Sequence, residues 1–317
     1  MHEHYFARDR TDSTLARCIL ARAKVVKVMT KSPVILSIHA HPDDEASKGA
    51  AIVAKYKAEA GARAILITAT GGEEGEILNP AMDTEEVREN LAAIRLEELA
   101  TSVKIIGYDR AELLGYRDSG MPDSDANRNP TCFARVPLDV AALRVAAIVR
   151  EERPDVLLTY PERQSRYPHP DHLRVYDVSM RAREMASDPS LEIEGLSPHL
   201  IPKVYFHIFT VERIVALHEK FLQLGLESPF SPDWFESVVP DYVATTKIDI
   251  TGYHAVRSRS LRAHATQIDP ASRNWFGLSD TQSEQAYRSE DLFLAVAPSG
   301  YVLDGLETDL FAGLRVG

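Results

Sequence analysis

The sequence predicts an α/β protein: a mainly parallel, Rossmann-like sheet with helices on both faces, and a smaller C-terminal lobe. Apolar runs alternate with helical segments through the first half of the 317 residues, and polar clusters follow the apolar runs. Strands that are apolar throughout are typical of parallel sheets, because helices cover both faces. Ligands of such sheets bind beyond the carboxyl ends of the strands, which is where the polar clusters fall.

The first half supplies four strands and four helices in alternation. Short apolar runs predict strands at 34–38, 64–68, 111–114 and 155–160, and apolar residues at helical spacing predict helices at 46–60, 85–103, 140–152 and 172–187. The less regular second half is predicted to form the lobe, roughly residues 200–317, with strands at 204–209 and 245–250 and helices at 212–222 and 253–266. Residues 1–30 are predicted to be an N-terminal extension before one domain at 31–317.

The composition excludes several classes of protein. There are 47 acidic and 36 basic residues, a net charge of −11, which argues against nonspecific binding to nucleic acid or an anionic membrane. No apolar run approaches the roughly 20 residues of a membrane span. The two cysteines, Cys18 and Cys132, are too few for a disulfide scaffold or a cysteine-based zinc site, so we predict a cytoplasmic protein. The oligomeric state is left open.

The first polar cluster, His41-Pro42-Asp43-Asp44-Glu45, directly follows the first strand. Adjacent carboxylates repel one another and raise one another's pKa, and a divalent cation would relieve that repulsion. The alternative is structural, because acidic residues also favour the first turn of the following helix. Taken alone, the segment fits a metal site and a helix cap about equally well.

The second polar cluster, His169-Pro170-Asp171-His172, follows the fourth strand. One such pair of histidines is more often structural than catalytic, but two His-Pro-Asp segments at predicted strand ends favour a shared metal site. Two histidines and one carboxylate leave an open position for water, the pattern of hydrolytic zinc. A further carboxylate can then take the proton of the attacking water. The spacing leaves open which of Asp43 and Asp44 has which task.

The two clusters together resemble the LmbE/PIG-L-type zinc deacetylases. Further stretches narrow the resemblance to the mycothiol S-conjugate amidases: Ser47-Lys48-Gly49-Ala50, Asp118-Ser119-Gly120, Cys132-Phe133-Ala134-Arg135, and residues 70–80, 262–270 and 310–313. The likeness runs from about Val34 to about Gly313. It implies a hydrolase that cleaves the amide bond of a small thiol-sugar conjugate, releasing glucosaminyl-inositol and an N-acetylcysteine S-conjugate.

The resemblance also implies catalytic roles. Three residues match the zinc ligands: His41, Asp44 and His172. Ferrous iron is the alternative metal. Asp43 matches the general base, and Tyr167 matches a tyrosine that helps to polarise the carbonyl. His169 matches the histidine that stabilises the tetrahedral intermediate and can protonate the leaving amine.

Four positions match substrate-binding residues. Arg95 and Asp118 match sugar-binding positions, with Glu76 expected beside them. Arg95 lies on a predicted helix, however, and could instead pair with a neighbouring glutamate. Lys48 stands where the amidases have lysine and the deacetylases of the mycothiol precursor have serine, so it favours the amidase. His264, in the 262–270 stretch, fits a structural histidine and a ligand contact equally well.

One segment departs from the family pattern. The family usually has Asp-Glu-Asn-Gly-Gly before the tyrosine, whereas this chain has a bulkier and more basic sequence at 161–166, ending in Ser165 and Arg166. We therefore expect the chemistry to be kept and the substrate to be specialised, as for a mycothiol conjugate of a secondary metabolite in a lincosamide-type pathway.

Three other functions are compatible with the residues. The first is deacetylation of N-acetylglucosaminyl-inositol by the same groups, which Lys48 speaks against. The second is an iron oxygenase, whose facial triad also has two histidines and a carboxylate, although such sites are typical of antiparallel barrels. The third is a sugar-conjugate binding protein without turnover, which Asp43 and His169 make less favourable.

Overall fold

The computed structural model describes residues 32–165, 167–231, 235 and 241–314. The predicted extension at 1–30 lies outside these residues. Within them, seven strands form one sheet with the order β3-β2-β1-β4-β5-β7-β6. The strands are β1 Val34–His39, β2 Arg63–Thr70, β3 Arg110–Tyr116, β4 Val156–Thr159, β5 Lys203–His207, β6 Thr246–Asp249 and β7 Ser289–Val296.

The sheet is parallel from β3 across to β5, and β7 runs antiparallel to both of its neighbours. Every residue of β1 and β4 is buried. Side chains alternate between the faces of a strand, so β1 sends Leu36 and Ile38 into one hydrophobic core and Ile35 into the other. Two cores, one on each face, confirm the predicted α/β class.

Helices cover both faces of the sheet. They are α1 Asp44–Ser47, α2 Ala50–Ala60, α3 Glu85–Glu89, α4 Leu91–Ile106, α5 Asp125–Arg128, α6 Leu138–Glu152, α7 Pro170–Ser187, α8 Val211–Gln223, α9 His254–Ala263, α10 Arg273–Phe276 and α11 Asp280–Ala286. Helices α6 and α7 pack against each other over the first core, and α2, α4 and α9 lie together over the second. None of the described helices is both long and apolar enough to cross a membrane.

Two predicted helices are each divided in the structure. The helix at 46–60 becomes α1 and α2, because Lys48 is extended and Gly49 has a φ of +87°. Only glycine suits this turn: a Cβ on Gly49 would lie 2.8 Å from Cε1 of His207. The helix at 85–103 becomes α3 and α4, which meet at Asn90.

The second half contributes directly to the sheet. Strands β5, β7 and β6 extend it, while Ile214, Phe221, Phe230 and Leu278 form a separate small core beside it. Strand β7 is absent from the sequence prediction, because it begins Ser-Glu-Asp, which is typical of a surface segment. The boundary of the lobe near residue 200 stays a prediction.

A buried ion pair holds the C-terminal segment on β5. Lys203 and Glu307 are both buried, and the ammonium of Lys203 donates to the carboxylate of Glu307. The same carboxylate accepts hydrogen bonds from Tyr205, Thr246 and Tyr301. A buried carboxylate with several donors is well compensated, so this contact fixes the C-terminal segment.

Candidate active site

All ten residues predicted for the site line one cavity of about 920 Å³ at the carboxyl end of the sheet. The cavity is formed by the segments that follow β1, β2, β3, β4 and β5, together with parts of the C-terminal half. This location agrees with the rule that parallel sheets bind ligands beyond the carboxyl ends of their strands.

The three residues predicted as metal ligands converge. Oδ2 of Asp44 lies 3.5 Å from Nδ1 of His41 and 3.5 Å from Nε2 of His172. Tetrahedral zinc with ligand bonds of about 2.1 Å separates its ligand atoms by about 3.4 Å, so these two distances fit. Burial lowers the pKa of His172 to about 4, which leaves the neutral imidazole that binds metals. This His-His-Asp group is able to hold a metal ion.

Among the described residues, two sets have all of their ligand atoms within 4.8 Å of one another, and both differ from the predicted set of His41, Asp44 and His172. One replaces Asp44 by His169, and the other combines His41 with Asp118 and Asp171. We favour the set with Asp44 over the second of these, because the carboxylate of Asp171 already accepts hydrogen bonds from both the N–H and the hydroxyl of Ser119. His169 remains a neighbour of the group, with its ring centroid 4.6 Å from that of His41.

His41 is oriented by carboxylates on its other side. Its Nε2 lies 3.2 Å from Oδ2 of Asp171 and 3.6 Å from Oδ1 of Asp118. Burial alone would lower the pKa of His41, but Asp118, Asp171 and Asp44 together raise it well above its usual value. A carboxylate behind a ligating imidazole fixes the ring and increases its basicity. Asp171 and Ser119, which have no role in the sequence prediction, supply this support.

Lys48 approaches the other oxygen of Asp44. Its Nζ donates to Oδ1 at 2.6 Å, while the backbone N–H of His41 donates to Oδ2 at 3.0 Å. Burial opposes ionisation of Asp44, but the adjacent Lys48 ammonium holds the pKa of this carboxyl well below its usual value. The carboxylate is therefore ionised and oriented with Oδ2 toward the histidines.

Asp43 lies in the same cavity in a strained backbone conformation. Its φ is +111° and its ψ is −24°, a region that non-glycine residues rarely occupy, at a cost of about 1–3 kcal/mol. Its side chain is 28% exposed. Burial and the adjacent Asp44 raise the pKa of Asp43, and Arg95 partly offsets them. A carboxyl group with a raised pKa suits a general base.

Arg95 connects the segments that follow β1 and β2. Its Nη2 donates to the carbonyl of Pro42 at 2.6 Å and lies 3.3 Å from Oδ2 of Asp43, and its Nη1 donates to the carbonyl of Gly72. Gly72 has a φ of +67°, and a Cβ there would overlap the guanidinium. Arg95 is only 2% exposed. Sugar binding by this residue stays a prediction, whereas its contacts in the structure hold the backbone beside Asp43.

Asp118 and Glu76 lie on the same side of the cavity as Arg95. The carboxylate of Asp118 accepts from the N–H of Gly120 at 2.8 Å, and Glu76 is exposed. Burial opposes ionisation of Asp118, but His41 lowers the pKa of this group below its usual value. Both carboxylates remain candidates for contacts with sugar hydroxyl groups.

His169 and Tyr167 lie over the His-His-Asp group. Nδ1 of His169 accepts the backbone N–H of Asp171 at 3.2 Å, so the ring proton of a neutral His169 resides on Nε2. Burial, with the nearby His41, lowers the pKa of His169 to about 4. The Tyr167 ring is 53% exposed, with its centroid 5.5 Å from that of His172. Tyr160, which the sequence analysis did not select, stacks on His172 at 4.5 Å.

Comparison with known proteins shows which proteins the chain resembles. Residues 36–183 match the family model described as PIG-L: GlcNAc-PI de-N-acetylase. A mycothiol S-conjugate amidase from Streptomyces coelicolor is 37% identical over 90% of this chain and 99% of its own length. A 1D-myo-inositol 2-acetamido-2-deoxy-alpha-D-glucopyranoside deacetylase from Streptomyces avermitilis is 39% identical over 88% of this chain and 97% of its own.

A solved structure shows the same fold at low identity. The N,N'-diacetylchitobiose deacetylase from Pyrococcus horikoshii aligns over 91% of this chain and 94% of its own, with a TM-score of 0.57 and 17% identity. The alignments with the two Streptomyces relatives extend over nearly their full lengths. The chain belongs to the PIG-L (LmbE) family.

Proposed function

We propose that this protein is a metal-dependent amidase that hydrolyses the amide bond of mycothiol S-conjugates. The observation that carries the proposal is the convergence of His41, Asp44 and His172 beside Asp43 in one large cavity. The identity with a mycothiol S-conjugate amidase supports the substrate class. Zinc, or ferrous iron, held by the three ligands would lower the pKa of water and polarise the scissile carbonyl.

Asp43 is the proposed general base. Arg95 contacts Oδ2 of Asp43, so Oδ1 remains for a water molecule in the cavity. The carboxylate removes a proton from this water as the water attacks the amide carbon, and the protonated carboxyl later returns the proton to the departing amine. The raised pKa of Asp43 suits both steps, because the group must gain and lose the proton near neutral pH.

His169 and Tyr167 are proposed to stabilise the negative charge on the carbonyl oxygen. The N–H of Asp171 occupies Nδ1 of His169, so Nε2–H is the donor available to a developing oxyanion. The pKa of about 4 favours a neutral hydrogen-bond donor over a proton donor. Asp43 is therefore the better source of the proton for the leaving amine.

The strand order suggests how the substrate lies. Segments after β2 and β3 lie to one side of β1 and bring polar groups, including Glu76 and Asp118. Segments after β4 and β5 lie to the other side and bring aromatic groups, including Tyr167 and Phe209. We propose that the polar side holds glucosaminyl-inositol and the aromatic side holds the S-substituted acyl group, with the scissile amide between them.

Deacetylation of N-acetylglucosaminyl-inositol is the second candidate, favoured by the 39% identity with a deacetylase. The decisive experiment measures kcat/KM of the zinc-loaded enzyme for a mycothiol bimane conjugate and for N-acetylglucosaminyl-inositol. We expect the conjugate to be preferred, since the aromatic side of the cavity can hold its large acyl group. Preference for the acetylated sugar would overturn the amidase proposal, and oxygen consumption without amide cleavage would point to an oxygenase.

A narrower proposal concerns the segment at 161–165, where the chain departs from its family. Ser165 donates to Asp241 through its N–H at 2.8 Å and its hydroxyl at 2.6 Å. The Arg163 guanidinium stacks 5.3 Å from the centroid of Tyr242, and both residues line the cavity. We propose that this wall selects a large S-substituent, as in a lincosamide-type conjugate. A clear preference for the small bimane conjugate over a bulky one would contradict this.

A further inference from the structure

The strained backbone of Asp43 is held by a neighbouring carboxylate. Oε2 of Glu45 accepts the backbone N–H of Asp43 at 3.0 Å. The carbonyl of Asp43 is held as well, because it accepts the N–H groups of Ala46 and Ser47 at 3.1 and 3.0 Å. The peptide on each side of this residue is therefore fixed, which sets the direction of its side chain.

Glu45 is itself held by two donors from distant parts of the chain. Its Oε1 accepts the Ser102 hydroxyl, from α4, at 2.5 Å and lies 2.6 Å from Nε2 of His264. Glu45, Ser102 and His264 are all fully buried. Burial alone would favour the neutral carboxyl group, but its hydrogen-bonding neighbours, above all His264, lower the pKa of Glu45.

His264 is located where it can reach Glu45 but not the substrate. It follows α9 directly and does not line the cavity. The turn after it is closed by the N–H groups of Gln267 and Ile268 on its carbonyl, and Thr266 bonds Glu98 of α4 at 2.8 and 2.7 Å. The imidazole is therefore presented to Glu45 by a well-anchored loop.

We propose that His264 is a positioning residue for Asp43, acting through Glu45. This inference rests on the proposed amidase function. It assigns a role to the 262–270 stretch, which contains neither a proposed metal ligand nor the proposed base. The hydrogen bond from His264 keeps the Glu45 carboxylate aimed at the N–H of Asp43. Without this hydrogen bond, the backbone at Asp43 can leave its strained conformation. The Asp43 carboxylate is then no longer oriented toward the attacking water.

The test compares His264→Phe, which removes the donor, with His264→Gln, whose side-chain amide can donate from nearly the same place. With the zinc-loaded enzyme and a mycothiol bimane conjugate, we expect His264→Phe to lower kcat about 30-fold or more. We expect KM to change less than about twofold and the zinc content to stay at the wild-type level. His264→Gln should recover most of kcat. The matched control is His218→Gln on α8. Nδ1 of His218 lies 2.8 Å from the hydroxyl of Ser228, so this variant also replaces a hydrogen-bonded imidazole by an amide.

A second readout does not require turnover. Hydrogen exchange of the Asp43 amide, measured in the folded protein, should be faster by about tenfold or more in His264→Phe than in the wild type. Unchanged protection of this amide would overturn the proposal, as would wild-type kcat in folded His264→Phe. If His264→Phe fails to fold, Ser102→Ala removes the other donor to Glu45, and unchanged exchange of the Asp43 amide in that variant would overturn positioning through Glu45. A wild-type enzyme that cleaves no conjugate would overturn the proposed function, while amide exchange would still decide the role of His264.

Discussion

Replacement of Arg95 by methionine tests how much one buried side chain beside the cavity contributes to the stability of the protein. The substitution keeps an unbranched apolar stem of comparable length and removes the guanidinium that donates to Pro42, Gly72 and Asp43. The buried carbonyl of Pro42 then loses this partner, and the carbonyl of Gly72 keeps only the N–H of Gly75. An unpaired buried polar group costs about 1–3 kcal/mol, and the buried contact with Asp43 is lost as well. We expect a total destabilisation of about 3 kcal/mol.

That loss corresponds to a fall in Tm of about 6–12 °C, at about 2–4 °C for each kcal/mol in a domain of this size. Circular dichroism during heating, supported by urea unfolding, measures it. The matched control is Arg88→Met on α3, where an exposed ion pair with Asp83 is removed. We expect Tm of this control to stay at the wild-type value, because exposed pairs contribute little. Equal Tm values for the two variants would refute the reasoning.

Three further experiments address the proposed chemistry and the buried histidines. Asp43→Asn should keep its metal by elemental analysis and lose about 100-fold to 10,000-fold in kcat, and activity near the wild type would exclude it as the base. His172→Ala should lose both metal and turnover, as should chelator treatment of the wild type, with activity returning on addition of zinc or ferrous iron. Burial and the adjacent His39 hold the pKa of His207 well below its usual value, so the unfolded chain binds more protons than the folded protein below about pH 6.5. The free energy of unfolding therefore falls as the pH is lowered. His207→Phe should weaken that fall, measured by urea midpoints between about pH 7 and pH 5.5, and an unchanged slope would show that His207 does not cause it.

The parallel part of the fold follows from local sequence patterns. Runs such as Val34 to Ile38 are mostly apolar, and the helices between them supply the crossovers that parallel strands require. Strand β7 does not follow the rule, because Glu290 and Asp291 are buried by tertiary contacts. The hydroxyl groups of Thr210 and Tyr287 donate to Asp291. Thr210 is 81 positions away in the chain, and a contact over that distance leaves no periodic signal.

The sequence predicted that the candidate residues lie together, and the structure brings them into one cavity, but their contacts with one another were less predictable. The two His-Pro-Asp segments predicted one shared site, and the family resemblance selected His41, Asp44 and His172 from them as the expected ligands. The structure places all three in one cavity. The support from Asp171 and from His264 depends on side-chain distances between segments far apart in the chain, which the residue types do not encode. Arg95 illustrates the same limit, because its position on a helix was evident and its three oxygen partners were not.

Glu45 and His264 are 219 positions apart in the chain, so they are synthesised at different times. Ribosomes add about 5–20 residues per second, so His264 leaves the ribosome several seconds after His172 completes the proposed metal ligands. If the proposed function is right, the residues that hold the metal are therefore complete before Asp43 gains its support. That support would form only when the last third of the chain docks on the sheet.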